Sequence, residues 1–352
     1  MRIDQLRRPL TTIQAGRGVA ALLVVLFHLT KTIFNTPQYW PQQILNNVFL
    51  FGHAGVNFFF VLSGFIIFHA HASDINQPAV LGRYVWRRTT RIYPPYLVVL
   101  AVIVAAYALI PMLNTAPPSI TELVTSVFLV GPHERPPIAV AWTLFHEVAF
   151  YAVFAVAILN ARAGLVIGVL WAVLCAASLF TPAKDMYIFS PLNLLFGFGV
   201  IARLLINRSI PGAIWLAVAG GLLFIGLGME EVYFASIPAE ARHLLYGGAS
   251  FLLIVGMARA EIGDRLVAPK WLTFLGDASF SIYLVHYPAL SVFAKIFTKL
   301  PLPPLVSFVC MAAGCIVAGA IFYLMVEKPL VRLLNPKPAK PSGAGHTAPQ
   351  NG

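Results

Sequence analysis

The chain has 352 residues, of which 59% are hydrophobic and 11% charged, and its mean hydropathy is +0.80. Soluble globular domains carry about 25% charged residues, so this composition excludes an ordinary soluble domain and indicates a multi-pass membrane protein. The formal net charge of +11 is typical of basic loops beside an anionic leaflet and does not indicate nucleic-acid binding.

Ten segments of the sequence are long and apolar enough to cross a bilayer. We therefore predict an all-α fold, a bundle of about ten transmembrane helices, in which the cysteines are packing residues and no metal site is expected. The ten segments lie near residues 13–34, 46–69, 92–112, 141–159, 163–180, 187–206, 212–229, 243–259, 272–294 and 304–326.

Basic residues are distributed unequally between the two sides of these segments. If the N-terminus is inside, the inner segments carry 18 of the 24 Lys and Arg residues. The opposite orientation would violate the positive-inside tendency, so both termini are expected in the cytoplasm.

The first apolar segment is interrupted by two strongly polar side chains, Arg17 and His28. Eleven residues at roughly 100° each return nearly to the starting direction, so on a helix the two share one face, about 16 Å apart. Burying either group in lipid is costly, so that face is expected to meet protein or a water-filled cavity. The pair is the first functional-site candidate.

The second segment holds a Ser63–Gly64 pair in the middle of a phenylalanine-rich run. Small residues let a neighbouring backbone or a ligand approach closely. The pair is therefore a candidate for helix contact or for substrate contact.

The stretch from Arg83 to Arg91 is the most basic short part of the chain. On a helix Arg88 and Arg91 are i, i+3 neighbours and project together. One interpretation is a positive-inside anchor; the other is a phosphate cradle, since Arg binds phosphate bidentately. Pro94 and Pro95 follow and are expected to disturb the start of the third span.

Two later spans carry polar side chains inside apolar runs. Glu147 lies one or two turns into the fourth span, which predicts function or a structural ion pair. His286 lies near the middle of the ninth span, either as a satisfied packing residue or as a functional one. Glu230 and Glu231 are interpreted as solvated loop charges, and Glu327 as part of an interfacial ion pair.

The segment after Asn335 is rich in proline, glycine and polar residues. It cannot bury enough apolar surface to order itself. Residues 335–352 are therefore predicted to be a disordered cytoplasmic tail that follows one transmembrane domain, residues 1–334.

Six pieces of the sequence resemble the membrane acyltransferase 3 family, and the resemblance covers residues 13–330. Each piece alone is weak evidence, whereas six in the same order are specific. Within the family the chain is most similar to the bacterial exopolysaccharide acyltransferases. The pieces are Arg17 with His28, GVNFFFVLSGF at 55–65, RTTRIYP at 88–94, WTLFHEVAFY at 142–151, GDASFSIYLVH at 276–286 and EKP at 327–329.

This resemblance implies a membrane O-acyltransferase. Such proteins move an acyl group, usually acetyl from cytoplasmic acetyl-CoA, to a hydroxyl of an exported or surface glycan. The implied location is the bacterial inner membrane. The implied partners are membrane lipids, the acyl-CoA donor, which is a substrate and not a permanently bound cofactor, and a glycan or lipid-linked sugar acceptor.

The catalytic and donor-binding residues are also implied by the resemblance. His28 and Arg17 match the essential first-span pair of the family, and Glu147 matches its acidic fourth-span position. Arg88 and Arg91 match its basic RxxR motif and are expected to hold the phosphates of CoA. We expect His28 to be the general base, because imidazole titrates near neutral pH; direct transfer and an acyl-enzyme step are both open.

Ser63, Asn57 and His286 are the candidates for substrate binding. Asn57 stands where many family members have Asp, so proton transfer is not expected there. The proposed topology puts Arg17 near the inner mouth of a path and His28, with Glu147 near it, on the outer, sugar-handling side.

Two other functional classes fit the composition equally well. One is a transporter or flippase for a glycan or lipid, and the other is a sensory or assembly scaffold without chemistry. Acetyl transfer from labelled acetyl-CoA separates an enzyme from both.

Overall fold

The computed structural model describes residues 10–37, 39–40, 44–109, 118–130, 136–263 and 266–336. Within these ranges the chain forms helices and turns, with no β-strand. The predicted tail at 335–352 lies outside the described residues from position 337 onward. So do several basic residues that contribute to the expected orientation, which therefore stays a prediction: Arg2, Arg7, Arg8, Arg135, Arg265, Lys337 and Lys340.

The described ranges contain thirteen α-helices. Helix α1 continues as a π-helix, Leu29–Phe34, and α12 continues as a π-helix, Tyr323–Glu327. In chain order the helices are α1 (Thr11–His28), α2 (Gly55–His71), α3 (Leu81–Leu109), α4 (Ile120–Phe128), α5 (Trp142–Leu159), α6 (Ala161–Ala177), α7 (Leu194–Leu205), α8 (Ala213–Tyr233), α9 (Ala239–Ile262), α10 (Lys270–Asp277), α11 (Ser279–Phe297), α12 (Pro304–Phe322) and α13 (Lys328–Leu334).

Nine helical runs of the described part are long and apolar enough to cross a membrane. They correspond to nine of the ten predicted segments, and the segment predicted at 187–206 corresponds to a shorter apolar run, Pro191–Leu205. A 3₁₀ turn that begins at Pro182 precedes this run, and another 3₁₀ turn, at Pro191, begins it. Proline lacks the backbone N–H that a longer helix needs at these positions. The all-α, multi-pass fold is confirmed.

The expected disturbance at the start of the third span is wrong. Helix α3 runs without interruption from Leu81 to Leu109 and contains both Pro94 and Pro95. A break in an apolar environment would leave further backbone groups unpaired, so the helix persists around the two prolines. As a result, Arg88 and Arg91 lie on the same continuous helix as the third span.

Helix α2 lies at the centre of the bundle, because most of its side chains are buried while α6 exposes most of its apolar side chains. It packs closely on α7. A Cβ atom on Gly64 would overlap the carbonyl of Phe196, and one on Gly199 would overlap the carbonyl of Val61. The prediction that the Ser63–Gly64 pair admits a neighbouring backbone is confirmed.

The first turn of α1 is held by a carboxylate from another helix. Glu261 of α9 accepts hydrogen bonds from the backbone N–H and the hydroxyl of Thr11, at 2.8 and 2.7 Å. It accepts the same pair from Thr12, at 2.8 and 2.6 Å. The first N–H groups of a helix have no partner within the helix, and a carboxylate also complements the helix dipole. Glu261 therefore fixes where α1 begins relative to α9.

Replacing Glu261 with Ala should lower the free energy of unfolding by about 1 to 3 kcal/mol, because four donors lose a charged acceptor. The measurement is the thermal unfolding midpoint of the purified protein in detergent. Glu240→Ala, at the other end of α9, makes none of these four bonds and is the matched control. Equal midpoints for the two variants would contradict this role.

Candidate active site

A cavity of about 130 Å³ lies between α1, α2, α3, α5, α7 and α11. Its walls are mainly apolar, with charged and hydroxyl groups converging on one space. Five of the eight site residues predicted from the sequence line it, and the other three do not. The five are Arg17, Ser63, Arg88, Arg91 and Glu147.

Glu147 is held in this cavity by two hydroxyl groups. Ser63 donates to its Oε1 at 3.2 Å, and the Tyr151 hydroxyl donates to the same oxygen. A carboxylate is a strong acceptor for such bonds. The polar interruption of the fourth span is therefore tied to α2 and to the next turn of its own helix.

Arg88 lies beside this group. Its guanidinium carbon is 5.9 Å from the centre of the Tyr151 ring, in cation–π geometry. Its Nε is buried without a hydrogen-bond partner among the described residues. An unpartnered buried donor is uncommon and calls for an explanation; at a cavity wall, that explanation is a ligand or water inside the cavity.

Arg91 is paired at its back with Glu327. Its Nη1 lies 3.7 Å from Glu327 Oε1, and the carboxylate is only 1% exposed. Ser281 donates to the other oxygen of that carboxylate at 2.5 Å. The expected ion pair of Glu327 is therefore present, and its partner is the basic stretch of α3.

Arg17 has one hydrogen bond within the described part of the chain, from its Nη1 to Gln14 Oε1 at 3.1 Å. Gln14 in turn donates to Asp277 Oδ1 at 2.7 Å. The close approach of α1 and α10 allows this chain of contacts, because a Cβ on Gly276 would overlap the Gln14 carbonyl. The other donors of Arg17 are left for the cavity.

Three guanidiniums thus line the cavity together with one carboxylate, and a second carboxylate, Glu327, stands behind Arg91. The formal charge of this group is positive even after both carboxylates are counted. In a low-dielectric interior such a charge favours an anionic ligand. In the part of the chain that the structure describes, no group of three His, Cys, Asp or Glu side chains could hold a metal ion.

His28 lies outside this cavity, beside His286 of α11. His286 Nε2 is 3.1 Å from His28 Nδ1, and the two ring centres are 5.0 Å apart. Tyr283, one turn before His286 on α11, lines the arginine-lined cavity. Directly after His28 the helix widens into its π-helical segment, a deviation that is frequent at functional sites.

The contacts of the two imidazoles determine where their protons lie. His286 Nδ1 is 2.6 Å from the Tyr283 carbonyl, and His28 Nδ1 is 3.0 Å from the Val24 carbonyl. A carbonyl only accepts, so each Nδ1 carries a proton, and the single Nδ1 proton of His28 is shared between the Val24 carbonyl and the unprotonated Nε2 of a neutral His286. Neutral His28 is left with an unprotonated Nε2, for which the described residues provide no hydrogen-bond partner.

The expected position of Glu147 beside His28 is wrong. Glu147 lines the cavity with Arg17, Arg88 and Arg91, whereas the ring neighbours of His28 are Phe27, His286 and Tyr287. The reason is helix packing: the face of α5 that carries Glu147 meets α2, and α11 packs against the His28 end of α1. His286 contacts His28 and does not line the cavity.

Asn57 also lies away from the cavity. Its side-chain amide donates to the backbone carbonyl of His243 at 3.0 Å and lies 3.1 Å from Nδ1 of that ring. Asn57 is 1% exposed, so it can act on a ligand only through His243.

Sequence reasoning missed a polar cluster near the His28 end of α1. Glu231, interpreted as a solvated loop charge, lies within α8 and accepts hydrogen bonds from His53, Arg242 and Tyr246 at 2.8, 2.9 and 2.9 Å. The predicted seventh span ended at 229, while α8 continues to Tyr233. Extending the predicted helix by one turn would have placed Glu231 on a helical face. It would not have identified the partners of Glu231.

A family model described as an acyltransferase domain matches residues 10–324. No solved structure matches the chain.

Three relatives align over most of their length. The exopolysaccharide production protein ExoZ of Rhizobium meliloti (strain 1021) is 30% identical over 81% of this chain and 91% of its own. The acyltransferase MdmB of Streptomyces mycarofaciens is 27% identical over 95% of both chains. The putative membrane-bound transacylase BcsY of Komagataeibacter xylinus is 26% identical over 78% of this chain and 72% of its own.

Proposed function

The chain belongs to the acyltransferase 3 family of membrane proteins, and on that premise we propose that it transfers an acetyl or other short acyl group from cytoplasmic acyl-CoA to a hydroxyl of an exported or surface glycan. The similarity to an exopolysaccharide production protein supports a glycan acceptor. The observation that carries the proposal is the convergence of Arg17, Arg88 and Arg91 on one interior cavity. The site is proposed to lie in a bacterial inner membrane, with the arginines on the cytoplasmic side.

The arginines suit the donor. Acyl-CoA carries several phosphate charges, and guanidinium groups bind phosphate oxygens in bidentate fashion. A cavity of about 130 Å³ is too small for a nucleotide but can admit a thioester arm. The phosphates therefore bind at its mouth, where the Arg91 side chain is 36% exposed, and the acyl end points inward.

Glu147 is a positioning residue in this proposal. It holds the hydroxyls of Ser63 and Tyr151 and offsets part of the arginine charge. With fewer carboxylates the three guanidiniums would repel one another, and with more carboxylates the cavity would repel the anionic donor. Ser63, on the cavity wall, is placed to contact the thioester arm.

His28 is the general base of the proposed transfer. Its unprotonated Nε2 takes the proton of the acceptor hydroxyl while the hydroxyl oxygen attacks the thioester carbonyl. The carbon–sulfur bond then breaks, and the CoA thiolate leaves with the proton that His28 returns. His286 positions His28 by accepting a hydrogen bond from its Nδ1–H, and together with the Val24 carbonyl it keeps Nε2 unprotonated.

Purified protein supplied with labelled acetyl-CoA should transfer the label to a glycan acceptor. His28→Ala should reduce this transfer by roughly 10²- to 10⁴-fold, the usual contribution of a general base, while the protein still inserts and folds. His69→Ala changes a histidine outside both the cavity and the His28 pair and is the matched control. Normal transfer by His28→Ala would remove the catalytic role, and glycan movement across vesicles without acyl transfer would favour a transporter.

Replacing Arg88 with Gln should weaken acetyl-CoA binding about tenfold, because one charge-assisted hydrogen-bond donor is lost. Binding of labelled acetyl-CoA to the purified variant measures the effect. Arg87→Gln removes the same charge from an exposed neighbour that does not line the cavity, so it should bind normally. If both variants bind acetyl-CoA as the parent does, the basic stretch is a topology anchor only.

His286→Ala should slow acyl transfer by about tenfold or more, and less than His28→Ala does, because His28 then loses one of the two acceptors of its Nδ1 proton and keeps only the Val24 carbonyl. His286→Gln retains an acceptor oxygen and should recover part of the rate. The rate constant of transfer at saturating acetyl-CoA is the measurement. Equal losses for the Ala and Gln variants would indicate that His286 is only a packing residue.

A further inference from the structure

A second cavity lies beyond the His28 end of α1. It is an open cleft of about 480 Å³, within the range of small-molecule sites. Its walls include Phe27, Lys31, His53, Glu231 and His243. Apart from Phe27 and Lys31, these residues belong to the segment before α2 and to α8 and α9.

The cleft is adjacent to the proposed base. Phe27 precedes His28 in the chain, and their ring centres are 4.8 Å apart. The Phe27 ring also lies 5.4 Å from the His53 ring on the opposite wall. A ligand in the cleft would therefore rest on a residue that contacts His28 directly.

The acidic wall of the cleft is partly neutralised, because Arg242 lies near both Glu231 and Glu230, at 2.9 and 3.8 Å. Arg242 lies 2.9 Å from one oxygen of Glu231, and His53 shares that oxygen at 2.8 Å. Tyr246 donates to the second oxygen at 2.9 Å. Glu231 can still accept further hydrogen bonds, but its charge does not repel an anion as a bare carboxylate would.

The same side of the cleft offers a fixed donor on His243, whose ring centre lies 5.8 Å from that of His53. A backbone carbonyl cannot donate, so the nitrogen of the Asn57 amide must face the His243 carbonyl, and the same nitrogen donates to His243 Nδ1. Neutral His243 then carries its proton on Nε2. Asn57, which was predicted to bind substrate, thus acts on the cleft indirectly, because it sets the tautomer of His243.

Lys31 supplies a positive charge at the edge of the cleft. It is exposed, its ammonium lies 5.4 Å from the centre of the Phe27 ring, and no carboxylate pairs with it in the described part of the chain. An unpaired cation above an apolar ring, beside fixed donors and acceptors, suits a ligand with hydroxyls, an apolar face and a negative group.

We propose that this cleft binds the acceptor as an acidic saccharide, whose carboxylate or phosphate pairs with Lys31 while a pyranose ring packs on Phe27. The identification of the ligand as the acceptor rests on the proposed function. A sugar packed on Phe27 lies one residue contact away from His28, whose ring centre is 4.8 Å from that of Phe27. Lys31 is then the residue that selects acidic over neutral glycans.

The test uses oligosaccharides from the exported polysaccharide of the producing cell, freed of O-acyl groups and separated into acidic and neutral fractions. The acidic fraction should bind the purified full-length protein at least tenfold more tightly than the neutral one, and this preference should weaken with salt. Lys31→Glu should lower the affinity for the acidic fraction by about tenfold or more, and Lys31→Arg should keep it within about threefold. Lys299→Glu, an exposed cation outside the cleft, is the matched control.

An unchanged thermal unfolding midpoint of Lys31→Glu in detergent establishes that this variant is folded. Equal binding of both fractions, normal binding by Lys31→Glu, or no saccharide binding at all would overturn the inference. Lys31-dependent saccharide binding by a protein that transfers no acetyl group would uphold the cleft and refute the proposed function. Because the binding assay needs no donor, the two failures are distinguishable.

Discussion

Charged side chains inside an apolar helix bundle must be paired or must face water, and the interior of this protein is arranged around that constraint. Arg91 is backed by buried Glu327, and Glu147 is held by hydroxyls from two helices. Arg17 and Arg88 are only partly satisfied by protein. The cavity is therefore positively charged and has hydrogen-bond donors that no described protein group uses. A site of that kind attracts an anionic ligand.

Helix α1 connects two compartments of different chemistry. Its Arg17 end packs closely on α10 and faces the arginine-lined cavity. Its His28 end contacts α11 and leads into a π-helical turn beside an open cleft. On α11, Tyr283 lines the arginine-lined cavity, and His286, one turn later, contacts His28. A donor and an acceptor that meet only at these two residues would keep a thioester away from bulk water.

Much of this arrangement follows from residue spacing alone. The composition requires a membrane bundle, and the shared face of Arg17 and His28 follows from eleven residues of helix. The closeness of Arg88 to Arg91 has the same origin. The Ser63–Gly64 pair predicts a tight helix crossing without naming the partner, because a small residue indicates an approach but not what approaches.

The sequence by itself therefore determined the helical, multi-pass fold and the sets of polar residues that share a helix face. Only the tertiary structure decided that Glu147 joins the arginines and not His28, that His286 supports His28, and that Glu231 forms a wall of a cleft. The physical reason is that periodicity along one helix sets the direction of a side chain about its own axis. Which helix that side chain meets depends on the packing of small and large residues between segments far apart in the chain.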